Sequence, residues 1–226
     1  MDYPLVSAVM PTCNRREFIP RAVRCFLSQD YPNLEWIILE DGGLDSIRDL
    51  LPDDPRIKYT HNPSVKYNHG TKCNICCEQA TGEFIIVHDD DDFYPPNRVT
   101  RQIMPLIADR TLAVSGTSTL YYYRHGEQRA WRYTSPASVG WLASIAFRKD
   151  EWQRQKFDHI VSGADYNFIR KVPEGARHDL HDPSLVVASI HDTNACPKNL
   201  GSGYTPILWE VIERLWQNPS VDSVAR

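Results

Sequence analysis

Phe84-Ile85-Ile86-Val87-His88-Asp89-Asp90-Asp91-Asp92 sets the reading of this chain. Four apolar residues without a polar break suit a strand buried on both faces, as in a parallel sheet. The four aspartates then fall where the strand ends, and in open α/β sheets that edge is where ligands bind. Two unit charges about 4 Å apart repel by roughly 4 kcal/mol at an effective dielectric of about 20. A hard divalent cation removes that cost and prefers oxygen ligands. A solvated acidic turn is the plainer account of such a run. The buried strand before it, and Phe93-Tyr94-Pro95-Pro96 after it, favour the metal site.

Upstream, apolar and helical stretches alternate. Leu5 to Met10 reads as a first strand, ended by Pro11-Thr12-Cys13-Asn14. A helix from about Arg15 to Gln29 follows, with Phe18, Ala22, Val23 and Phe26 on one face. Leu34 to Leu39 is a second strand ending in Glu40-Asp41-Gly42-Gly43, again carboxylates and glycines at a strand end. A short helix near Asp45 to Leu51, a strand near Arg56 to Thr60, and a helix stopping near Gly82 lead into the aspartate strand. Pro95 and Pro96 open another helix with Val99, Ile103, Leu106 and Ile107 inward. This alternation predicts a parallel, right-handed α/β sheet.

Downstream the pattern changes. Leu112 to Tyr123 and Glu127 to Tyr133 read as strands of a hairpin turning at Arg124-His125-Gly126. Val139 to Phe147 and Leu185 to Ile190 are further strands, and Lys149 to Trp152 and Ala164 to Arg170 are helical. Ile207, Leu208, Val211, Ile212 and Leu215 make a terminal amphipathic helix. The segment from Cys196 to Pro206 reads as mobile.

Bulk properties exclude some functions. The chain has 226 residues, 42% hydrophobic and 24% charged, with net charge -4, so no global basic footprint for nucleic acid appears. No apolar run approaches the roughly 18 residues of a membrane span. Met1-Asp2-Tyr3-Pro4 lacks a signal-peptide pattern, which gives a cytoplasmic expectation. Cys73, Cys76, Cys77 and Ala80 fall at i, i+3, i+4 and i+7, a buried helical stripe. No second ligand pair stands near them, which disfavours zinc.

Several ordered pieces carry a family resemblance: Val6-Ser7-Ala8-Val9-Met10-Pro11-Thr12-Cys13-Asn14-Arg15, Ser28-Gln29-Asp30-Tyr31-Pro32-Asn33-Leu34-Glu35, Glu40-Asp41-Gly42, Gly70-Thr71-Lys72-Cys73-Asn74, Thr81-Gly82-Glu83-Phe84 and His88-Asp89-Asp90-Asp91-Asp92-Phe93. In order and spacing, from about Val6 to Lys198, the chain resembles the family 2 glycosyltransferases. The resemblance implies a GT-A type α/β fold: a Rossmann-like, mostly parallel central sheet flanked by helices, with a smaller mixed or antiparallel acceptor-side region. It implies one domain over 1–226, with a nucleotide-sugar half at 1–110, an acceptor half at 111–200 and a C-terminal helix at 201–226. The activity implied is inverting transfer of a sugar from a nucleotide-sugar, commonly a UDP-sugar, using Mn2+ or Mg2+.

Residue by residue, the resemblance puts Pro11, Thr12 and Arg15 in the nucleotide pocket, Asp41 on the base, and Lys72 and Asn74 beside the nucleotide. Asp89 matches a ribose or metal contact and Asp91 a metal ligand, with Asp90 and Asp92 in support. His191 matches a histidine that completes some metal sites. Asp165 matches the general base, although the family's usual preceding glutamate is replaced by Ala164. The processive Gln-x-x-Arg-Trp signature is absent, which points to single-sugar addition.

Chemistry supports these roles independently. A cation offsets charge growing on a departing diphosphate, and hard oxygens with one imidazole suit manganese or magnesium. A carboxylate within reach of the acceptor hydroxyl takes its proton. Trp141, after Gly140, is the preferred acceptor contact, while Tyr121, Tyr122, Tyr123, Trp131 and Tyr133 are mostly strand packing. His88 reads as a hydrogen-bonded residue at a buried strand end, and Lys66 and Arg98 as phosphate contacts or solvated surface. A nucleotidyltransferase or phosphoryl-transfer enzyme, and an inactive nucleotide-sugar-binding module, are the competing readings. The acceptor stays open among a glycan, lipid-linked sugar, protein side chain, small molecule or hydroxymethylated nucleic-acid base, a soluble one being favoured. Arg124, Arg129 and Arg132 form a local basic patch that would suit phosphate.

Overall fold

The computed structural model describes residues 3–194, 196, 198 and 200–217. Its centre is four parallel strands, β1 (Val6–Thr12), β2 (Leu34–Asp41), β3 (Ile57–Asn62) and β4 (Phe84–Val87), in spatial order β3-β2-β1-β4. Every residue of β1, β2 and β4 is buried. The alternation of side chains explains this. Val9, Ile37, Leu39, Ile85 and Val87 pack into one core layer, and Ala8, Met10, Trp36, Ile38, Phe84 and Ile86 into the other. The first layer is covered by α2 (His69–Gln79), whose Cys73, Cys76 and Cys77 form the predicted buried stripe. The second is covered by α1 (Ile19–Leu27) and α3 (Arg98–Ala108).

Chain beyond residue 110 completes the same sheet. After β5 (Val114–Thr117) come β6 (Thr119–Arg124), β7 (Ala130–Thr134), β8 (Ala143–Arg148), α4 (Lys149–Arg154), α5 (Ala164–Lys171) and β9 (Arg177–Asp179). The chain ends with β10 (Val187–Ile190), β11 (Tyr204–Ile207) and α6 (Trp209–Gln217). β8 joins β4 antiparallel, and β5 and β9 extend the sheet to seven strands. A second sheet runs β10-β6-β7-β11, with β6 and β7 as the predicted hairpin. The acidic turn sits at the seam of the two sheets, because Phe93 exchanges backbone hydrogen bonds of 3.0 Å with Val187 of β10.

Several expectations shift. The single strand expected over Leu112 to Tyr123 breaks at Ser118, sending β5 and β6 into different sheets. Thr117 Oγ1 donates to Thr119 O at 2.7 Å, and Ser118 N donates to Asp179 at 3.0 Å, so local side-chain bonds replace the ladder there. The strand expected from Val139 starts at Ala143, since Ala137–Val139 is a 3-10 turn closed by Gly140 at φ 61. β1 runs through Pro11 and Thr12, and α1 starts only at Ile19. α3 starts at Arg98, after both prolines. Tyr204 to Pro206, expected to be mobile, lie in β11; Pro197 and Asn199 of that region are outside the described residues.

Candidate active site at the strand ends

Each aspartate of the turn has a different neighbour. Asp89 receives no hydrogen bond on its carboxylate from a described residue; its backbone N–H donates to Tyr94 OH at 3.0 Å. Asp90 accepts from Thr12 Oγ1 at 2.6 Å. Asp91 accepts from Arg15 at 2.7 Å and lies 3.0 Å from His191 Nε2. Asp92 accepts from Ser189 N at 3.0 Å, which fixes the turn to β10.

Burial and crowding separate their acidities. Burial, then the charge of Asp91, pushes Asp90 well above the usual carboxylate range. Asp89 rises for the same two reasons, with Asp165 adding to them. Burial also acts upward on Asp91, but the His191 hydrogen bond and the Arg15 guanidinium outweigh it and hold Asp91 low. Beneath the turn, His88 is 3% exposed and packs against Trp36 and Tyr94, with burial and Arg98 depressing its pKa. Arg98 is no surface group. It is 1% exposed, lies over the Tyr94 ring at 3.8 Å and donates to Gln102 at 2.8 Å.

The end of β2 carries a buried ion pair. Asp41 is 0% exposed and pairs with Lys72 Nζ at 2.9 Å, while its second oxygen accepts from Tyr67 N. Asp41 and Lys72 are thus paired with each other at this strand end. Their pairing seals a charge that the strand carries inward, and Lys72 also donates to Thr12 O at 3.3 Å. Asn74 is likewise held by its neighbours. Two residues from Lys72, it lies on another face of α2. Its amide donates to Phe157 O at 2.9 Å and accepts from Trp152 Nε1 at 2.9 Å and Phe157 N at 3.0 Å. It anchors the chain after α4. Pro11 and Thr12 are buried at the end of β1, and Arg15 bridges from the following loop to Asp91 and to Thr193 O at 2.7 Å.

The second half supplies the remaining groups. Gly163, at φ 80, turns the chain into α5 and puts Asp165 in its first turn, where its charge reaches Asp89. Ala164 explains the missing glutamate. It is 0% exposed and stands 3.3 Å from where a Cβ on Gly70 would sit, so the position has no room for a longer side chain. His191 directly follows β10, its ring 4.5 Å from that of Phe18 and its Nδ1 2.8 Å from Thr193 Oγ1. Trp141 is half-buried, edge-on to Tyr133 at 5.8 Å, and touches both the α5 core and the second sheet. Sequence reasoning missed His69, half-buried at the start of α2 with Nε2 3.5 Å from Cys73 Sγ and close enough to Asp165 for their charges to interact. It also missed Lys198, whose charge reaches Asp89 and whose Nζ stands 5.8 Å from the Tyr122 ring centre. Neither carries a pattern, since each is brought in by folding.

Among the described residues, no three His, Cys, Asp or Glu side chains form a ready-made metal cage. By chemistry, the carboxylates of Asp89 and Asp91 and the imidazole of His191, whose Nε2 lies 3.0 Å from Asp91, are donor types that suit manganese or magnesium. The thiols of Cys73, Cys76 and Cys77 are buried and pushed up by that burial, the opposite of metal-binding thiolates.

A parallel sheet with acids gathered at its strand ends, closed by antiparallel β8 and a second small sheet, is a GT-A type glycosyltransferase architecture. The model of "Glycosyl transferase family 2" matches residues 7–172, and the chain belongs to that family of transferases. It is 36% identical over 93 residues to GalNAc(5)-diNAcBac-PP-undecaprenol beta-1,3-glucosyltransferase of Campylobacter jejuni, covering 39% of this chain and 30% of that protein. It is 32% identical over 109 residues to UDP-Glc:alpha-D-GlcNAc-diphosphoundecaprenol beta-1,3-glucosyltransferase WfgD of Escherichia coli, covering 47% and 43%. The matches thus span less than half the length of these relatives. Among solved structures, Staphylococcus aureus TarS 1-349 in complex with UDP-GlcNAc aligns with TM-score 0.66 and 18% identity over 84% of this chain and 60% of that one. The Pyrobaculum calidifontis mannosyltransferase PcManGT in complex with GDP-Man and Mn2+ aligns with TM-score 0.65 and 17% identity over 88% and 59%. Family membership sets aside the nucleotidyltransferase reading.

Proposed function

We propose that this chain moves one sugar from a nucleotide-sugar, a UDP-sugar, to an acceptor hydroxyl with inversion at the anomeric carbon. The observation that carries the reading is the approach of Asp165, from α5, to the acidic turn that ends β4. In this reading Pro11, Thr12, Arg15, Asp89 and Asp90 line the donor site. Asp91, Asp89 and His191 would hold manganese or magnesium, which when bound stabilises the charge growing on the leaving diphosphate.

The acceptor oxygen attacks the anomeric carbon as the bond from that carbon to the diphosphate oxygen breaks. The bonding pair leaves with the nucleoside diphosphate, and the acceptor proton passes to Asp165. Asp165 stands in the first turn of α5. Trp141, between α5 and the second sheet, offers an aromatic face to an acceptor ring.

The two relatives above have names that specify acceptors linked to undecaprenol through a diphosphate. That favours a lipid-linked saccharide over the soluble acceptor expected from sequence. Among the described residues, no helix is long and apolar enough to cross a membrane.

A panel of UDP-, GDP- and dTDP-sugars, each with and without Mn2+, tests the donor and the metal together by thermal shift. Stabilisation by a UDP-sugar that needs Mn2+ is expected. Asp165→Asn should keep that stabilisation and lower turnover by about 100-fold or more. No stabilisation by any nucleotide-sugar would overturn the reading.

A further inference from the structure

We infer that Asp158 is the positioning residue for Asp165, fixing where the base-bearing helix stands relative to the donor strands. The inference rests on the reading of Asp165 as base.

Asp158 is gripped through both its main chain and its side chain. Its carbonyl lies against Gly70 in the first turn of α2: a Cβ at Gly70 would come within 1.9 Å of Asp158 O. Gly70 N donates to Ile160 O at 3.0 Å, and Thr71 Oγ1 lies 2.8 Å from His159 Nδ1. Residues 158–160 are therefore laid directly on α2. The carboxylate of Asp158 points the other way, into α5. It accepts from Asn167 Nδ2 at 2.9 Å and from Lys171 Nζ. Those two residues are i and i+4 on α5, so one carboxylate holds a full turn of one helix face. Asp165, two residues before Asn167, projects from a different face of that helix.

α2 is the common reference. Two residues beyond Gly70, its Lys72 is fixed to Asp41 of β2 and to the end of β1 at Thr12. Donor strands and base helix thus take their spacing from the same helix, and Asp158 is the polar link on the base side, beside the packing of Ala164 near Gly70. An exposed carboxylate bonded to a lysine contributes little to stability. Its effect should therefore appear in geometry, where an error of about 1 Å at a reacting group can cost about 100-fold in rate.

Release of UDP from UDP-glucose in Mn2+ buffer, with water as acceptor, tests this. Should UDP-glucose not be a donor, the member of a UDP-, GDP- and dTDP-sugar panel with the fastest release replaces it. Asp158→Ala is expected to lower kcat about 10-fold or more, to leave KM for the sugar nucleotide within about twofold, and to leave the melting temperature nearly unchanged. Asp158→Asn, which keeps an acceptor for Asn167, should recover part of the loss. In an Asp165→Asn background, Asp158→Ala should cost nothing more, because the group it positions is already gone. Gly70→Ala, which displaces the same carbonyl, should show the same non-additivity. An unchanged kcat in Asp158→Ala, or the same fold-loss repeated in the Asp165→Asn background, overturns the assignment. An Asp165→Asn variant as active as the wild type, or no release from any sugar nucleotide, overturns the base reading beneath it, and the assignment with it.

Discussion

Arg15 and Asp91, 76 residues apart in sequence, meet in a 2.7 Å ion pair at the mouth of the acidic turn. The pair neutralises the one aspartate of the four that is held below the usual carboxylate range. Arg15→Ala leaves that carboxylate with His191 alone, beside Asp89 and Asp90. A charged group that loses its partner in a mostly buried place costs about 1–3 kcal/mol. Urea denaturation should show that loss at neutral pH, and millimolar Mn2+ should recover most of it by taking over the neutralising role. A loss that Mn2+ does not repair would remove Asp91 from the proposed ligand set.

Glu35 gives a pH prediction away from the site. It accepts from Ser7 Oγ, from Thr81 N and Oγ1, and from Lys58 Nζ at 2.6 Å, so it ties β1, β2, β3 and the α2–β4 connection together. Burial acts to raise its pKa, but Lys58, Ser7 and Thr81 outweigh it and bring Glu35 down from 4.5 to about 2. A depressed carboxylate stabilises the fold above its unfolded pKa, and that stability is lost as pH falls toward the folded value. The loss should fall between about pH 4.5 and pH 2. Glu35→Gln should be less stable at pH 7 and lose less than the wild type between pH 5 and about pH 3. Urea midpoints across that range check it; parallel acid limbs for the two proteins would contradict the assignment.

How far the sequence could be read follows from where each signal arises. Runs such as 34–39 and 84–87 were legible because a strand buried on both faces must be apolar throughout, whatever surrounds it. The break at Ser118 was not, because a hydroxyl on Thr117 and a carboxylate on Asp179 decide it, and the latter arrives from far along the chain. The acidic turn was legible as a place, but the partners of its aspartates were not, because they depend on Thr12, Arg15, His191 and Ser189 reaching it. Glu35 and Thr81-Gly82 helped to identify the family, yet here they brace strands. A Cβ at Gly82 would lie 2.6 Å from Leu5 O, so only glycine lets β4 enter beside β1.

Asn74 sets a bracing role against its expected nucleotide contact. Asn74→Ala strands the indole N–H of Trp152 and both backbone groups of Phe157 in a buried place. Unsatisfied buried groups cost about 1–3 kcal/mol each, with some recovered by water, so a loss of about 2–4 kcal/mol is expected. UDP affinity, measured by calorimetry in Mn2+, should stay within about twofold. A stable variant with weakened UDP binding would return Asn74 to the nucleotide pocket.

Lys72 and Asp41 offer the sharpest test of how the donor edge is built. Asp41 is 0% exposed, and its charge is met by Lys72 at 2.9 Å. Removing one member of a buried pair leaves an uncompensated charge and costs about 3–5 kcal/mol, whereas replacing both can be nearly neutral. Lys72→Met alone should therefore be strongly destabilised in urea, and Lys72→Met with Asp41→Asn should recover most of the deficit. This non-additivity is the signature of a pair that acts as one unit. If Lys72→Met were close to wild type in stability, Asp41 would have to be reachable by water in solution. The strand end would then be open to a nucleobase, as the sequence suggested, and α2 would not be the fixed reference from which Asp158 takes its place.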